Sequence, residues 1–208
     1  MHRQGALSGR FLMGATLVTG MLLGVSRAAA APITYEAYLD GISESPPNAS
    51  PGTGYATATI DAVAHTMRVT VEFTGLLGTT TASHIHVING PGDTDNMDTL
   101  GPVATTTPTF TGFPLGVTSG TYDHTYDMTQ TSSYNPSWIT ANGGVVAQAE
   151  AALFAGIAGG RAYLNLHTNI FPGGEIRSFF QPIPEPSSAA LALCGAVVLW
   201  GVRRRRGT

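Results

Sequence analysis

Three histidines are candidates to bind one metal ion, and the spacing of two of them puts their side chains on one face. His84 and His86 flank Ile85 in a short alternating segment, and residues i and i+2 of a strand project from the same face. Two imidazoles on one face can ligate copper, zinc or nickel. His167, in a second predicted strand, is the third candidate ligand. The pattern predicts either a copper or zinc site or three half-buried histidines that are hydrogen-bonded without a metal.

Polar residues close in sequence to His167 could support such a site. Asn165 shares a strand face with His167, and Glu175 shares a face with Arg177 on the strand that follows. Glu175 and Arg177 could form an ion pair, or could orient a ligating imidazole through its second ring nitrogen. We therefore expect Asn165, Glu175 and Arg177 to surround the candidate ligands.

An acidic segment follows the first of these strands. Asp93, Asp95 and Asp98 alternate with polar residues, and carboxylate oxygens in a loop can bind calcium. An EF-hand loop would carry glycine at its sixth position and glutamate at its twelfth, where this chain has Asp98 and Ala104. The segment predicts either a weak calcium site or a solvated acidic loop.

Sequence templates of the common hydrolases and phosphotransferases are missing. The chain has no Gly-x-Ser-x-Gly sequence and no lysine for a phosphate-binding loop, and its single cysteine, Cys194, lies near the C-terminus. The His84–His86 segment is similar to the copper-ligand strand of Cu/Zn superoxide dismutase. The disulfide cysteines of that enzyme are missing, and its full ligand set would require His65 and His124. We predict a non-catalytic binding or structural module. The alternative is a histidine-based metal-binding domain, which could be a copper/zinc redox enzyme.

Short alternating segments separated by turns must position these residues. Period-2 alternation is typical of half-buried strands, and the predicted strands are Ile33–Leu39, Tyr55–Ile60, Met67–Phe73, Ser83–Val87, Thr121–Met128, Arg161–His167 and Glu175–Phe180. An alanine-rich segment near residues 145–157 predicts one short helix. The expected fold is all-β, a Greek-key β-sandwich or barrel of about six to eight strands.

The predicted β domain, residues 31–182, is strongly acidic. Three arginines and twelve acidic residues give it a net charge of −9. Nucleic acids and anionic lipids attract lysine and arginine patches, so neither is an expected partner. The domain also has no cysteine for a disulfide, so its stability must come from its core or from a bound metal.

The N-terminus has the three parts of a secretory signal. Arg3 and Arg10 precede an apolar run from Phe11 to Val25, and small residues follow up to Ala31. The apolar run is shorter than the roughly 20 residues of a membrane-spanning helix, and the two arginines are not adjacent. We predict a cleaved signal peptide, residues 1–30, used by the Sec export machinery.

The C-terminus, residues 183–208, has the parts of a sorting signal. Pro184-Glu185-Pro186 precedes an apolar 16-residue stretch, residues 187–202, and then Arg203-Arg204-Arg205-Arg206. Arginines beside an apolar helix stay on the cytoplasmic side. This order resembles the PEP-CTERM sorting signal, which implies an inner-membrane-anchored intermediate, removal of the tail by an exosortase-type transpeptidase, and delivery to the cell surface or extracellular matrix of a Gram-negative bacterium.

Residues 33–181 resemble the CHRD domain family. The motifs that carry the resemblance are Glu36-Ala37-Tyr38-Leu39-Asp40-Gly41, Gly54-Tyr55-Ala56-Thr57-Ala58, Ser83-His84-Ile85-His86, Ala162-Tyr163-Leu164-Asn165-Leu166-His167-Thr168 and Pro172-Gly173-Gly174-Glu175-Ile176-Arg177. Val87 and Ser178 replace glycines that are common in the family. The resemblance implies a secreted domain and no particular reaction. We expect a binding or structural module of the cell envelope or matrix, with extracellular polysaccharide as a candidate partner.

Overall fold

One curled antiparallel sheet forms the body of the protein. The computed structural model describes residues 31–88 and 100–183. Its eight strands form a half-barrel, which confirms the all-β prediction and its strand number. The strands are β1 (Ile33–Asp40), β2 (Thr53–Asp61), β3 (Thr66–Thr74), β4 (Thr80–Val87), β5 (Gly120–Asp127), β6 (Ala162–Thr168), β7 (Ile176–Phe179) and β8 (Gln181–Pro182).

The strand order brings together, at one edge, the two strands that carry the candidate ligands. It runs β4-β6-β7-β1-β2-β3-β5, and β8 pairs with β1. β2 and β3 form a hairpin across Asp61 to Thr66. β4 and β6 are distant in sequence but pair directly, with His84 opposite Asn165 and His86 opposite Tyr163. The sheet therefore joins the motif around His84 to the motif around His167.

Alternation along the strands separates a core face from an outer face. In β1, for example, Tyr35, Ala37 and Leu39 are buried, while the residues between them are partly or fully exposed. The predicted helix forms as α2 (Val146–Ala158) and turns Ala149, Leu153 and Ile157 into the core. These buried side chains follow the period of a helix, which explains why it packs against the sheet.

Helix α2 packs closely behind β4. A Cβ atom added at Gly156 would lie 2.6 Å from Cγ1 of Val87, so glycine is required for the backbones to approach. This contact fixes the core side of the strand that carries His84 and His86. In the described part of the chain, none of the helices has both the length and the apolar composition needed to cross a membrane.

A second helix, α1 (Pro136–Ala141), was not predicted. Asn135 caps it by accepting a hydrogen bond from the amide of Ser137, and proline occupies its first position. Trp138 lies in the core and donates its indole N–H to the carbonyl of Ala149 at 3.1 Å. Asn135-Pro136 is a signal for the start of a helix. A helix of only six residues is too short to show the period of buried side chains from which helices are predicted.

The outer face of the sheet is exposed over some strands and buried over others. Over β1, β2 and β3 it carries partly exposed threonines and acidic residues. Over β4, β6 and β7 nearly every residue is buried on both faces of the sheet. The outward-facing residues here include His84, Asn165 and Arg177, so an unusual set of polar side chains lies inside the protein.

Candidate metal centre

His84, His86 and His167, the three candidate ligands, lie together on this covered face. One ring nitrogen from each lies within 4.8 Å of the corresponding nitrogens of the other two. The ring of His167 lies 5.3 Å from that of His84 and 6.0 Å from that of His86, centroid to centroid. The pairing of β4 with β6 brings the third histidine to the first two.

Each imidazole is held by a backbone carbonyl through its other nitrogen. Nε2 of His84 lies 2.7 Å from the carbonyl oxygen of Pro108, and Nδ1 of His86 lies 2.9 Å from that of Gly101. Nδ1 of His167 lies 3.0 Å from the carbonyl oxygen of Pro172. A carbonyl can only accept, so each of these nitrogens must carry the proton. The tautomers are thereby fixed, with a lone pair on each remaining nitrogen.

Those remaining nitrogens are buried and unpartnered. Nδ1 of His84, Nε2 of His86 and Nε2 of His167 have no hydrogen-bond partner among the described residues. A buried acceptor without a partner costs about 1–3 kcal/mol. One metal ion bound by all three rings would satisfy these acceptors, and metal binding also requires neutral imidazoles of fixed orientation.

Burial keeps these histidines neutral. It lowers the pKa of His84 and of His86 to about 4, although their hydrogen bonds to Pro108 and Gly101 act in the opposite direction. Burial also lowers the pKa of His167 below its ordinary value, against the effect of its bond to Pro172. At neutral pH protons therefore do not compete for the three lone pairs.

The cluster is slightly wider than a filled tetrahedral site. Metal–nitrogen bonds of about 2.0–2.1 Å place tetrahedral ligand nitrogens roughly 3.4 Å apart, whereas here the separations reach up to 4.8 Å. An ion would draw the rings together by about an ångström. The residue types, tautomers and protonation states fit a metal, and the spacing requires only this adjustment.

Tyr163 supports His86 and was missed by the sequence analysis. Its ring stacks on the imidazole with a centroid distance of 4.8 Å and an interplanar angle of 8°. Its hydroxyl accepts a hydrogen bond from the amide of Gly101 at 3.1 Å, and the carbonyl of Gly101 accepts from His86. Tyr163 alternates with Asn165 and His167 on one face of β6, so the period-2 pattern could have identified it.

Arg177 is fully buried behind Tyr163. Its guanidinium carbon lies 4.9 Å from the centroid of the Tyr163 ring, and its Nε donates to the carbonyl of Ser43. The acidic partner is Glu44, whose Oε2 lies 3.9 Å from Nε of Arg177. The expected ion pair with Glu175 was therefore wrong. Burial raises the pKa of Glu44 to about 7, against the attraction of Arg177.

Glu175 anchors loops instead of orienting a histidine. Its Oε1 accepts from the hydroxyl of Ser50 at 2.6 Å and the amide of Leu77 at 2.5 Å. Its Oε2 accepts from the amide of Gly78 at 3.0 Å and the hydroxyl of Thr168 at 2.7 Å. Burial alone would raise its pKa, but these four donors hold it below its ordinary value. The expectation that Glu175 positions an imidazole is corrected, because backbone carbonyls do so.

Asn165 lies on the histidine face, as expected, but its amide contacts a loop. Its Nδ2 lies 3.5 Å from the carbonyl oxygen of Gly173, and it stands opposite His84 in the sheet. The next residue, Gly174, has a φ of 137°, and a Cβ there would lie 2.5 Å from Oδ1 of Asn165 and 2.6 Å from Oε1 of Glu44. Only glycine fits at this position.

The other two described histidines lie outside the cluster. His65 is bound through Nδ1 to the carboxylate of Glu150 at 2.9 Å, and His124 packs against the ring of Tyr126 at 4.6 Å. Neither belongs to the three-histidine group. The further ligands that a superoxide dismutase-like set would require are therefore not supplied by these residues.

Several sequence predictions fall outside the described residues. These are the signal peptide, the acidic segment with Asp93, Asp95 and Asp98, and the C-terminal segment with Pro184, Glu185, Pro186 and Arg203 to Arg206. They stay predictions.

Comparison with known proteins gives one match. The model of one protein family, described as CHRD domain, matches residues 35–180. No curated protein and no solved structure matches the chain.

Proposed function

This chain belongs to the CHRD domain family, and we propose that its domain is a non-catalytic module that binds one copper or zinc ion through His84, His86 and His167. The observation that carries the proposal is a group of three histidines that each bring one ring nitrogen within 4.8 Å of the other two, and that each have one buried nitrogen without a partner. Hydrogen bonds from the opposite ring nitrogens to three backbone carbonyls leave these buried nitrogens unprotonated and able to ligate an ion.

Burial favours a binding or structural role for the ion. His84 and His86 are only 7% and 9% exposed, His167 is partly buried, and the unpartnered nitrogen of each ring is inaccessible to water. A catalytic metal keeps a position open for water or substrate, whereas a structural metal is enclosed. An enclosed ion that joins β4 to β6 would stabilise the sheet edge, and its binding free energy would add to folding stability.

Metal analysis of the purified full-length protein tests this proposal. We expect one copper or zinc ion per chain after dialysis, and less than about a tenth of that in the His84→Ala/His86→Ala protein, because one imidazole alone holds a metal weakly. Inductively coupled plasma mass spectrometry measures the content.

A His65→Ala/His124→Ala protein serves as the matched control, because it also loses two imidazoles but leaves the cluster intact. It should retain a full equivalent of metal. If the wild-type protein takes up no copper or zinc from micromolar solutions of either ion, the proposed function is wrong.

We also propose that the module is exported, anchored briefly in the inner membrane, and released to the cell surface or extracellular matrix by an exosortase-type transpeptidase. The sequence patterns at both ends support this route.

Extracellular polysaccharide is the proposed matrix partner. One surface suited to sugars is the ring of Tyr38, which is 66% exposed and packs 5.0 Å from that of Tyr55. Glu36 accepts hydrogen bonds from both hydroxyls.

The sorting proposal predicts the effect of one substitution. In the native host we expect the wild-type chain to fractionate with the extracellular polysaccharide, with the residues after the Pro-Glu-Pro motif removed. The Glu185→Ala chain should stay in the membrane fraction with its tail intact, as measured by mass spectrometry. An exposed acidic residue of the domain, Glu72, provides the control substitution. Normal processing of Glu185→Ala would contradict the assignment.

A further inference from the structure

The geometry points to copper in its cuprous state, Cu⁺, as the ion that the three-histidine centre prefers over Zn²⁺ and Cu²⁺. This inference rests on the proposed function, because it names the ion at the same site. Three features carry it: the neutral charge of the ligands, a buried guanidinium nearby, and the number of ligands.

The ligand set leaves the charge of a bound ion uncompensated. The group consists of three imidazoles, and no carboxylate or thiolate of the described residues belongs to it. The cost of moving an ion from water into a protein interior rises with the square of its charge. A buried dication held only by neutral ligands therefore has a much larger desolvation cost than a buried monocation.

The guanidinium of Arg177 adds positive charge close to the site, separated from His86 by the ring of Tyr163. Arg177 lies 4.9 Å from the Tyr163 ring, which in turn stacks at 4.8 Å on the ring of His86. The guanidinium repels a dication twice as strongly as a monocation. Glu44 offsets this repulsion only in part, because burial raises its pKa to about 7 and leaves much of it protonated at neutral pH.

The number of ligands agrees with this preference. Structural Zn²⁺ sites have four ligands, whereas Cu⁺ is satisfied by three nitrogens in a plane. The group offers three nitrogens within 4.8 Å of one another and no fourth ligand among the described residues. Three nitrogens therefore complete a Cu⁺ centre and leave a structural Zn²⁺ centre one ligand short.

Competition titrations of the metal-free full-length protein test the inference. Cu⁺ is titrated without oxygen against a chromophoric cuprous chelator, and Zn²⁺ and Cu²⁺ against chromophoric chelators of their own. We expect one Cu⁺ per chain, with an affinity at least about 100-fold higher than that for Zn²⁺, and no copper signal in electron paramagnetic resonance. The His84→Ala/His86→Ala protein should bind none of the three ions tightly.

The possible failures are distinguishable. Binding of Zn²⁺ or Cu²⁺ as tight as that of Cu⁺ would overturn the inference and leave the metal site in place. Failure of all three ions to bind would overturn both the inference and the proposed function.

Arg177→Met tests the electrostatic cause. At a separation of about 10 Å and an effective dielectric constant of about 20, one unit of charge changes the ratio of Cu⁺ to Zn²⁺ affinity by about tenfold. We expect the ratio to fall by that factor in Arg177→Met and to stay unchanged in Arg68→Met, which removes an exposed arginine paired with Asp123. An unchanged ratio in a folded Arg177→Met protein would remove the guanidinium from the explanation. If this variant does not fold, the wild-type competition decides the preference by itself.

Discussion

Glu175→Ala should lower the free energy of unfolding by about 4 kcal/mol or more, enough to unfold the protein if its total stability lies at the low end of the usual 5–15 kcal/mol. The carboxylate of Glu175 is fully buried and accepts hydrogen bonds from Ser50, Leu77, Gly78 and Thr168. Alanine would leave two amides and two hydroxyls without their acceptor, and the bonds lost from Gly78 and Thr168 are buried. Urea denaturation monitored by circular dichroism measures the change.

Glu72→Ala is the matched control, because it removes an exposed carboxylate from β3. Surface substitutions of this kind usually change stability by less than about 0.5 kcal/mol. A loss of less than about 1 kcal/mol in Glu175→Ala would show that water replaces the carboxylate and that the loops are not held as described.

Metal binding should persist in acid far below the range of ordinary histidines. The pKa values of His84 and His86 are lowered to about 4 by burial, so protons at pH 5 compete little with the metal. Two imidazoles with an ordinary pKa near 6.5 would lose about 1,000-fold in affinity between pH 7 and pH 5. Here we expect a loss of less than about tenfold, measured by chelator competition and compared with a hexahistidine peptide.

Below pH 4 the metal should be released, because both imidazoles then take up protons. The metal-free protein should also lose stability as pH falls from 6.5 towards 4, since the unfolded chain binds more protons in that interval. Glu44 acts in the opposite direction below pH 7, because its pKa is raised and the folded protein takes up its proton first. Release of metal with a midpoint near pH 6 would show that the imidazoles are solvated.

Local patterns in the sequence predicted the strands and the shared face of His84 and His86. Seven strands were located to within a few residues. In β1, β2 and β3 buried side chains recur at every second position, whereas β4, β6 and β7 are buried on both faces. The spacing of His84 and His86 placed both on one face, because residues i and i+2 of a strand project from the same face. The short strand β8 and the short helix α1 have too few residues to show a period.

Residues that act through distant partners could not be paired from the sequence. The sequence spacing of Glu175 and Arg177 predicts that both side chains share one strand face. However, Gly174 has a positive φ just before β7. The carboxylate of Glu175 binds the amides of Leu77 and Gly78, which lie in a loop more than 90 residues earlier in the chain. Arg177 meets Glu44, which lies in a loop after β1. The acceptors that orient the histidines are backbone carbonyls, which leave no mark in the residue types.

The candidate ligands are divided between β4 and β6, so the centre is complete only after these two strands have paired. About 80 residues separate His86 from His167, and only the pairing of the two strands brings them together. An unfolded chain, including one that is threading through a membrane, contains the two-histidine half of the site and no complete centre. We therefore expect loading to follow folding. On the proposed route, the ion would be selected from those present in the compartment where the sheet closes, and not from those present where the chain is made.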